Sequence, residues 1–378
     1  MSGPVRVLHI FTEMNLGGAE SRIMDLYRRM DRRRVQFDFV VHMKKPGYYD
    51  QEIRELGGQI FSWPRLGPFN ILQYIRTAGR LFRTHPEYRI LHGHLISYGI
   101  LYHWIARKNG VKVRIAHARS SASEKNFKGL ITTLMIRPLK YLATHYFACS
   151  VPAAEYVFGK RNVRAGKVRI INNAIDASRF RFSQEDRFRI RKELGLENRW
   201  VAGHVGKFRY AKNHTFLLEI FKEISLRKEE AVLLLVGDGP LKEEMARRAG
   251  VLGVADKVFF TGERSDIPAL LSAMDVFVFP SHYEGLPGSV IEAQASGLRC
   301  FISSAISGEA GITDLAAFIS LEEPAAIWAD QILTAEDQPR QDMTEAIAAA
   351  GFDAKTVAME LQDFYLHATT QKDREVLL

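Results

Sequence analysis

The chain has 378 residues, 47% hydrophobic and 25% charged, which excludes a disordered polymer and exceeds the usual size of one hydrophobic core, so two domains are expected. Its two cysteines, Cys149 and Cys300, read as two lone thiols of a cytosolic protein ahead of the alternative, a single disulfide between domains. The net charge of +9 is uneven: residues 1–170 carry 29 Lys and Arg against 11 Asp and Glu, or +18, leaving 23 against 32, or −9, for the remainder. A basic half of this kind faces an anionic membrane, a phosphorylated substrate or nucleic acid, or is simply a solvated surface. No recognition module accompanies the basic clusters Arg28 to Arg34 and Arg107 to Lys140, which disfavours nucleic acid.

The opening MSGPVRVLHIF reads as a first strand, with one basic residue and too little apolar length for a signal peptide. The apolar run from Leu95 to Ala106 is 12 residues long and carries a histidine, against the ~20 that a membrane span needs. Strands are expected over 5–11, 36–42, 89–94, 113–118, 144–150 and 167–174, with helical patterns such as 19–30 and 69–82 between them. The polar segment 175–199 reads as a crossover. A second series follows with strands over 200–206, 231–237, 257–262, 275–281 and 299–304, and a terminal amphipathic helix starts at Phe352. Two alternating series predict an α/β protein of two Rossmann-like, doubly wound domains facing a central cleft, where the strand C-terminal ends bind ligands. The expected division is 1–180 and 181–351, with 352–378 a C-terminal helix able to cross back to the first domain.

Several loops at those strand ends carry groups suited to an anionic ligand. After the first strand, TEMNLGGAE places Gly17 and Gly18 at a helix start, where the backbone can approach a ligand closely and free N–H groups favour an anion; a simple tight turn reads the same way. Lys207, Arg209 and Lys212 lie within six residues after a strand, suiting a diphosphate whose charge grows as it departs, or forming a solvated basic turn. The stretch LLLVGDGPL contains GxG after a strand, which needs no more than a turn to explain it. His117 ends the strand VRIAHA and can bond a sugar hydroxyl or a carbonyl, or serve the core; His92 and His94 end the preceding strand and rank below it.

The richest stretch is FVFPSHYEGLPGSVIEAQASG, with Glu284 in the turn, a helix beginning near Gly288, and Glu292 about one helical turn inside it. Amides at the helix start suit phosphate, and carboxylates accept hydrogen bonds from sugar hydroxyls. The chain has no CxxC, HExxH or DxD pattern and no GxSxG, so neither a metal nor a serine triad is expected.

Taken together, these residues resemble the retaining glycosyltransferases of family 4, which have the GT-B fold, and within them the exopolysaccharide and capsule branch. The resemblance runs over most of the chain and rests on E-x7-E, Glu284 to Glu292, supported by GGAE, INNAID (171–176) and VGKFRYAKNH. It implies transfer of a sugar from a nucleotide diphosphate sugar, a UDP-sugar by family habit, to a lipid-linked or polysaccharide acceptor. Glu284 would contact the donor sugar and Glu292 the ribose. Backbone at Gly285, Leu286, Pro287, Gly288, Ser289 and Val290 would bind sugar and phosphate oxygens. Lys207 and Lys212, aided by Arg209, would neutralise the diphosphate, with Gly17 and Gly18 approaching from the opposite domain. His117 would stand near the sugar, and the base would lie against backbone around Arg264. No metal or other cofactor is implied, and the location would be cytoplasmic, peripheral to the inner face of the plasma membrane. The chain departs from the family in having Lys207 where Arg is usual, Asn173-Ala174 for Asn-Gly, and Arg299 for Pro. The alternatives are a non-catalytic protein of the same fold in a polysaccharide assembly complex, and an enzyme like the UDP-GlcNAc 2-epimerases, which would alter its donor with no acceptor present.

Overall fold

The structure, a computed structural model, describes residues 3–43, 45–67, 69–97, 99–119, 136–334 and 339–369. The middle of the basic stretch from Arg107 to Lys140 lies outside them. The chain divides into two compact units, one formed by Met1–Ala174 with Ala354–Leu378 and the other by Ile175–Asp353. The sequence reading set its divisions after residues 180 and 351.

The first unit is built on seven parallel strands: β1 (Val5–Ile10), β2 (Val35–Val41), β3 (Ile60–Ser62), β4 (Ile90–Gly93), β5 (Val113–Ala118), β6 (His145–Ala148) and β7 (Val168–Ile170). Their spatial order is β3-β2-β1-β4-β5-β6-β7, so the direction of winding reverses between β1 and β4. Helices cover both faces, and β2 is buried at every position, its two polar residues included: Arg6 donates twice to Asp38, and Gln36 donates to the Tyr27 hydroxyl. Side chains alternate across β1. Val7 and Phe11 pack with Phe37, Phe39 and Tyr365 on one face, whereas Leu8 and Ile10 pack with Tyr74 and Tyr102 on the other. Tyr365 belongs to the C-terminal helix, Ala354–Thr369, which lies beside the helix Gly18–Arg29.

The second unit holds β8 (Trp200–Val205), β9 (Ala231–Val236), β10 (Val258–Gly262), β11 (Val276–Phe279), β12 (Arg299–Ser303) and β13 (Ala316–Ile319). All are parallel, in the order β10-β9-β8-β11-β12-β13, and here the winding reverses between β8 and β11. Chains diverging in opposite directions from two adjacent strands leave a crevice at their C-terminal ends, where an open α/β sheet binds ligands.

The structure corrects several expectations of local structure. Segment 175–199 contains a true helix, Gln184–Leu194, because Ser183 caps its start by accepting from the Asp186 amide at 3.1 Å and Gly195 ends it in the left-handed region at φ 69°. Arg191 on that helix donates to Asp275 at 2.7 Å, tying it to the second sheet. The strand expected over 167–174 is limited to Val168–Ile170, since the chain turns at Asn172, whose carbonyl accepts from the Ala174 amide. Two short strands, β3 and β13, were not anticipated. Cys149 and Cys300 are buried and form no disulfide, and among the described residues no helix is long and apolar enough to cross a membrane.

Candidate functional site

In the second unit the two loops that flank the reversal point carry the expected cations and acids. The chain leaves β8 at Gly206, passes Lys207, and makes a single 3-10 turn over Tyr210–Lys212. Asn213 then takes a left-handed conformation (φ 53°), a region that asparagine tolerates, and opens the helix His214–Ser225. The GDG motif is what holds this loop. Gly237, at φ 138°, lies so close to the Gly206 carbonyl that a Cβ would collide with it. The Asp238 carbonyl accepts from the Phe208 amide at 3.0 Å, and the Phe208 carbonyl from the Leu241 amide at 3.2 Å. The motif therefore serves the Lys207 loop as well as turning its own chain.

The second loop leaves β11 at Pro280 and enters the helix Gly288–Ala295. Glu284 and Lys212 meet across the two loops as an ion pair, Nζ to Oε1 2.8 Å, with side chains 17% and 18% exposed. The Lys212 ammonium also stands 4.4 Å from the centre of the Phe279 ring, a cation–π contact of about 0.5–2 kcal/mol. The His282 amide donates to the Ala211 carbonyl at 2.8 Å, and the His282 and Tyr210 rings stack at 4.6 Å, so the loops are joined at three points. Buried around this junction are Ser281 Oγ, His204 Nε2 and both ring nitrogens of His214, none with a hydrogen-bond partner among the described residues. Burial pushes the His214 imidazole down to about 3 and holds His204 well below its ordinary range, so both rings are neutral.

The helix after Glu284 begins on Pro287, which offers no side-chain cap to the amides of Gly288 and Ser289. The Val290 amide bonds the Pro287 carbonyl at 3.2 Å, and the Val290 side chain is fully buried. Leu286 is likewise buried. Gly285 sits between Glu284 and that buried Leu286, and Glu292 lies within the helix, half-buried. Lys207 is half-buried and Arg209 exposed. Arg264 is gripped by Asp266, through two bonds of 2.8 and 2.7 Å, and by Glu193 at 2.8 Å. These carboxylates raise its already high pKa and occupy its guanidinium.

The first unit carries a second polar centre. His9 on β1, His92 and His94 at the end of β4, and His117 on β5 share one sheet face, all at or below 7% exposure. His9 and His92 are direct register partners. The His92 and His94 rings stack at 4.3 Å. Arg119 Nε donates to His94 Nδ1 at 3.1 Å and Arg119 Nη1 to Asn173 Oδ1 at 3.1 Å. Burial, aided by the Arg119 charge, holds all four imidazoles well below their ordinary range. His9, His92 and His94 lie near enough to share a metal ion, but the hydrogen bonds oppose it. An arginine only donates, so His94 Nδ1 is an acceptor, and its Nε2 then carries the proton that reaches His9 Nδ1 at 3.1 Å. The lone pairs a cation would need are engaged, and the adjacent guanidinium repels it. Gly17 caps the helix Gly18–Arg29 without a side-chain bond, and a Cβ there would overlap the Glu20 carboxylate, while Gly18 has open space beside it.

The sequence singles out Glu284, Lys212 and His117 but does not show how they pair. Arg119 and Tyr365 were overlooked, and His92 and His94 ranked low. The available signal was the recurrence of histidine near the ends of three strands that prove to be adjacent.

Two family models match the chain, "Glycosyltransferase Family 4" over residues 16–179 and "Glycosyl transferases group 1" over 186–350. The putative glycosyltransferase EpsF of Bacillus subtilis is 35% identical, covering 98% of this chain and 99% of that protein. The UDP-Gal:alpha-D-GlcNAc-diphosphoundecaprenol alpha-1,3-galactosyltransferase of Escherichia coli is 31% identical over 71% of this chain and 72% of its own. Among solved structures, Anabaena Alr3699/HepE in complex with UDP-glucose has a TM-score of 0.78 at 19% identity, covering 95% of this chain and 98% of that one.

Proposed function

The chain belongs to the family 4 glycosyltransferases, and from that premise we propose that it transfers a sugar, with retention of anomeric configuration, from a UDP-sugar to a lipid-linked or polysaccharide acceptor. The setting would be exopolysaccharide, capsule or lipopolysaccharide synthesis. The observation that carries the reading is the Lys212–Glu284 pair at the β8/β11 reversal point, beside a helix start where the N-cap residue Pro287 offers no side-chain bond. The names of the relatives support a uridine nucleotide and a diphosphate-linked lipid acceptor.

In this reading the bond from the anomeric carbon to the diphosphate breaks, one to the acceptor oxygen forms on the same face, and the acceptor hydroxyl gives its proton to the departing phosphate oxygen. Negative charge collects on the departing phosphate. Lys212 and Lys207, with Arg209 at the loop's outer edge, meet that charge together with the amides of Gly288 and Ser289, so the chain's own cations and a helix dipole do the work of a metal ion. Diphosphate oxygens compete with Glu284 for the Lys212 ammonium, and a carboxylate so released is available to the sugar hydroxyls. Glu292 is assigned to the ribose, backbone near Arg264 to the base, and His117 to the sugar, with Gly17 and Gly18 allowing close approach of backbone to the donor.

A thermal-shift panel of nucleotide sugars tests the reading. The true donor at 100 times its dissociation constant adds about 2.7 kcal/mol of stability. A uniform absence of shift across UDP- and GDP-sugars would remove the proposal, and conversion of UDP-GlcNAc without an acceptor would favour an epimerase.

Peripheral docking on an anionic membrane forms part of the same proposal. Phe69 is fully exposed and Ile71 and Leu72 are 45% and 69% exposed at the start of the helix Ile71–Thr84. Arg76, Arg80 and Arg83 follow at exposed positions spaced to share a face with Leu72, and that helix contains no acidic residue. None of the three arginines makes an ion pair among the described residues. Each basic group near an anionic leaflet contributes about 1 kcal/mol. Replacing Arg76, Arg80 and Arg83 together with Gln is expected to abolish co-sedimentation with vesicles containing anionic lipid. Unchanged sedimentation, or sedimentation indifferent to lipid charge, would rule this surface out.

A further inference from the structure

The four buried histidines are arranged as two hydrogen-bonded chains, and each chain has a defined direction. In one, Arg119 donates to His94 and His94 to His9, as set out above. In the other, the Tyr365 hydroxyl lies 2.6 Å from His92 Nδ1, and His92 Nε2 lies 3.0 Å from His117 Nδ1. Tyr365 is fully buried and His92 is its hydrogen-bond partner among the described residues. Were the phenol to accept from His92, its own proton would be buried without an acceptor, at a cost of about 1–3 kcal/mol. The phenol therefore donates to His92 Nδ1. A neutral His92 then carries its proton on Nε2 and passes a hydrogen bond to His117 Nδ1, and a neutral His117 must in turn carry its proton on Nε2. That Nε2 is buried and has no partner among the described residues. Both rings are kept neutral by burial and by the charge of Arg119.

We propose that Tyr365, acting through His92, is a positioning residue that holds His117 in the tautomer bearing its proton on Nε2, so that His117 serves sugar transfer as a hydrogen-bond donor and not as a base. A ring nitrogen that already carries a proton cannot take one from the acceptor hydroxyl, but it can donate to an oxygen of the donor sugar. Placing the first donor on the C-terminal helix gives that segment, more than two hundred residues from the β4 and β5 strand ends, a part in the chemistry. The consequence for transfer rests on the glycosyltransferase reading, whereas the tautomer itself does not.

The test uses the full-length protein labelled with 15N-histidine and two-bond proton–nitrogen correlation spectra, with His117 assigned from His117→Gln. Wild type is expected to show His117 with a bare Nδ1 and a protonated Nε2. Tyr365→Phe is expected to give mixed tautomers at His117 and a kcat lowered about tenfold, with the KM for donor little changed. His92→Gln keeps the polarity, because its carbonyl accepts from Tyr365 and its amide donates to His117. It should retain the wild-type tautomer and most of kcat, whereas His92→Leu should behave as Tyr365→Phe. A wild-type spectrum with the proton on Nδ1 overturns the proposal, as does Tyr365→Phe with both spectrum and kcat unchanged. Should Tyr365→Phe fail to fold, the wild-type and His92→Gln spectra decide. A correct tautomer in a protein that transfers no sugar would instead count against the proposed function alone.

Discussion

Replacing Lys212 with alanine is expected to lower kcat for sugar transfer by about 10²–10³-fold while the protein remains folded. Its ammonium stands 4.4 Å from the centre of the Phe279 ring and, before the donor binds, is held by the Glu284 carboxylate at 2.8 Å, so it is already in place to meet the charge that builds on a departing phosphate. Preorganisation of this kind is where a single donor has its largest effect on rate. Removing the lysine leaves Glu284 without this counter-ion, but the carboxylate is 18% exposed and water can solvate it, which is why unfolding is not expected. Lys212→Arg keeps the charge but spreads it over a planar fork, and should recover only part of the rate. Nucleotide release at saturating donor gives kcat, and a melting curve confirms folding. A Lys212→Ala enzyme within about fivefold of wild type would show that this cation does not meet the leaving group.

The second large effect is loss of stability in mild acid. Burial pushes His103 and His214 down to about 3, from an ordinary value of 6.5. Both rings stay neutral in the folded protein, but the unfolded chain takes up a proton at each once the pH falls below 6.5. Stability from these groups is therefore fully present above pH 6.5 and is lost progressively as the pH drops toward 3. At pH 5 the loss is about 2 kcal/mol for each, or about 4 kcal/mol together. His9, His92, His94, His117 and His204 are shifted in the same direction. Domains are typically stable by about 5–15 kcal/mol, so the sum is decisive. Five of these seven histidines lie in the first unit and two in the second. Calorimetry between pH 7.5 and 5 should show the transition of the first unit moving down furthest. A melting temperature constant to within about 2 °C over that range would contradict the assignment of neutral buried rings.

Much of the architecture was legible in the residues themselves. Short apolar runs such as AVLLLV and VFVF announce strands buried on both faces, and their alternation with amphipathic segments dictates parallel sheets with helical crossovers. The strands that escaped, IFS and AAFI, have three and four residues at the sheet edges, β3 and β13, and owe their extended form to one neighbour each. The helix over 184–194 escaped because its exposed face is densely charged and its apolar stripe is thin, so that its caps and its anchor on Asp275 define it.

The amino-acid sequence by itself determined which chemical groups sit at the strand ends: cations after β8, acids around a glycine-rich turn after β11, histidines near the ends of β1, β4 and β5. Only the tertiary structure decided how they combine. Lys212 and Glu284, 72 residues apart, become partners because the winding reverses between their two strands. Tyr365 reaches His92 across 273 residues because the C-terminal helix packs on the first sheet. The physical reason is that an isolated imidazole is indifferent to which nitrogen carries its proton. A direction appears only when a group that must donate there, Arg119 by its chemistry and Tyr365 by its burial, is brought to one end of a row of rings.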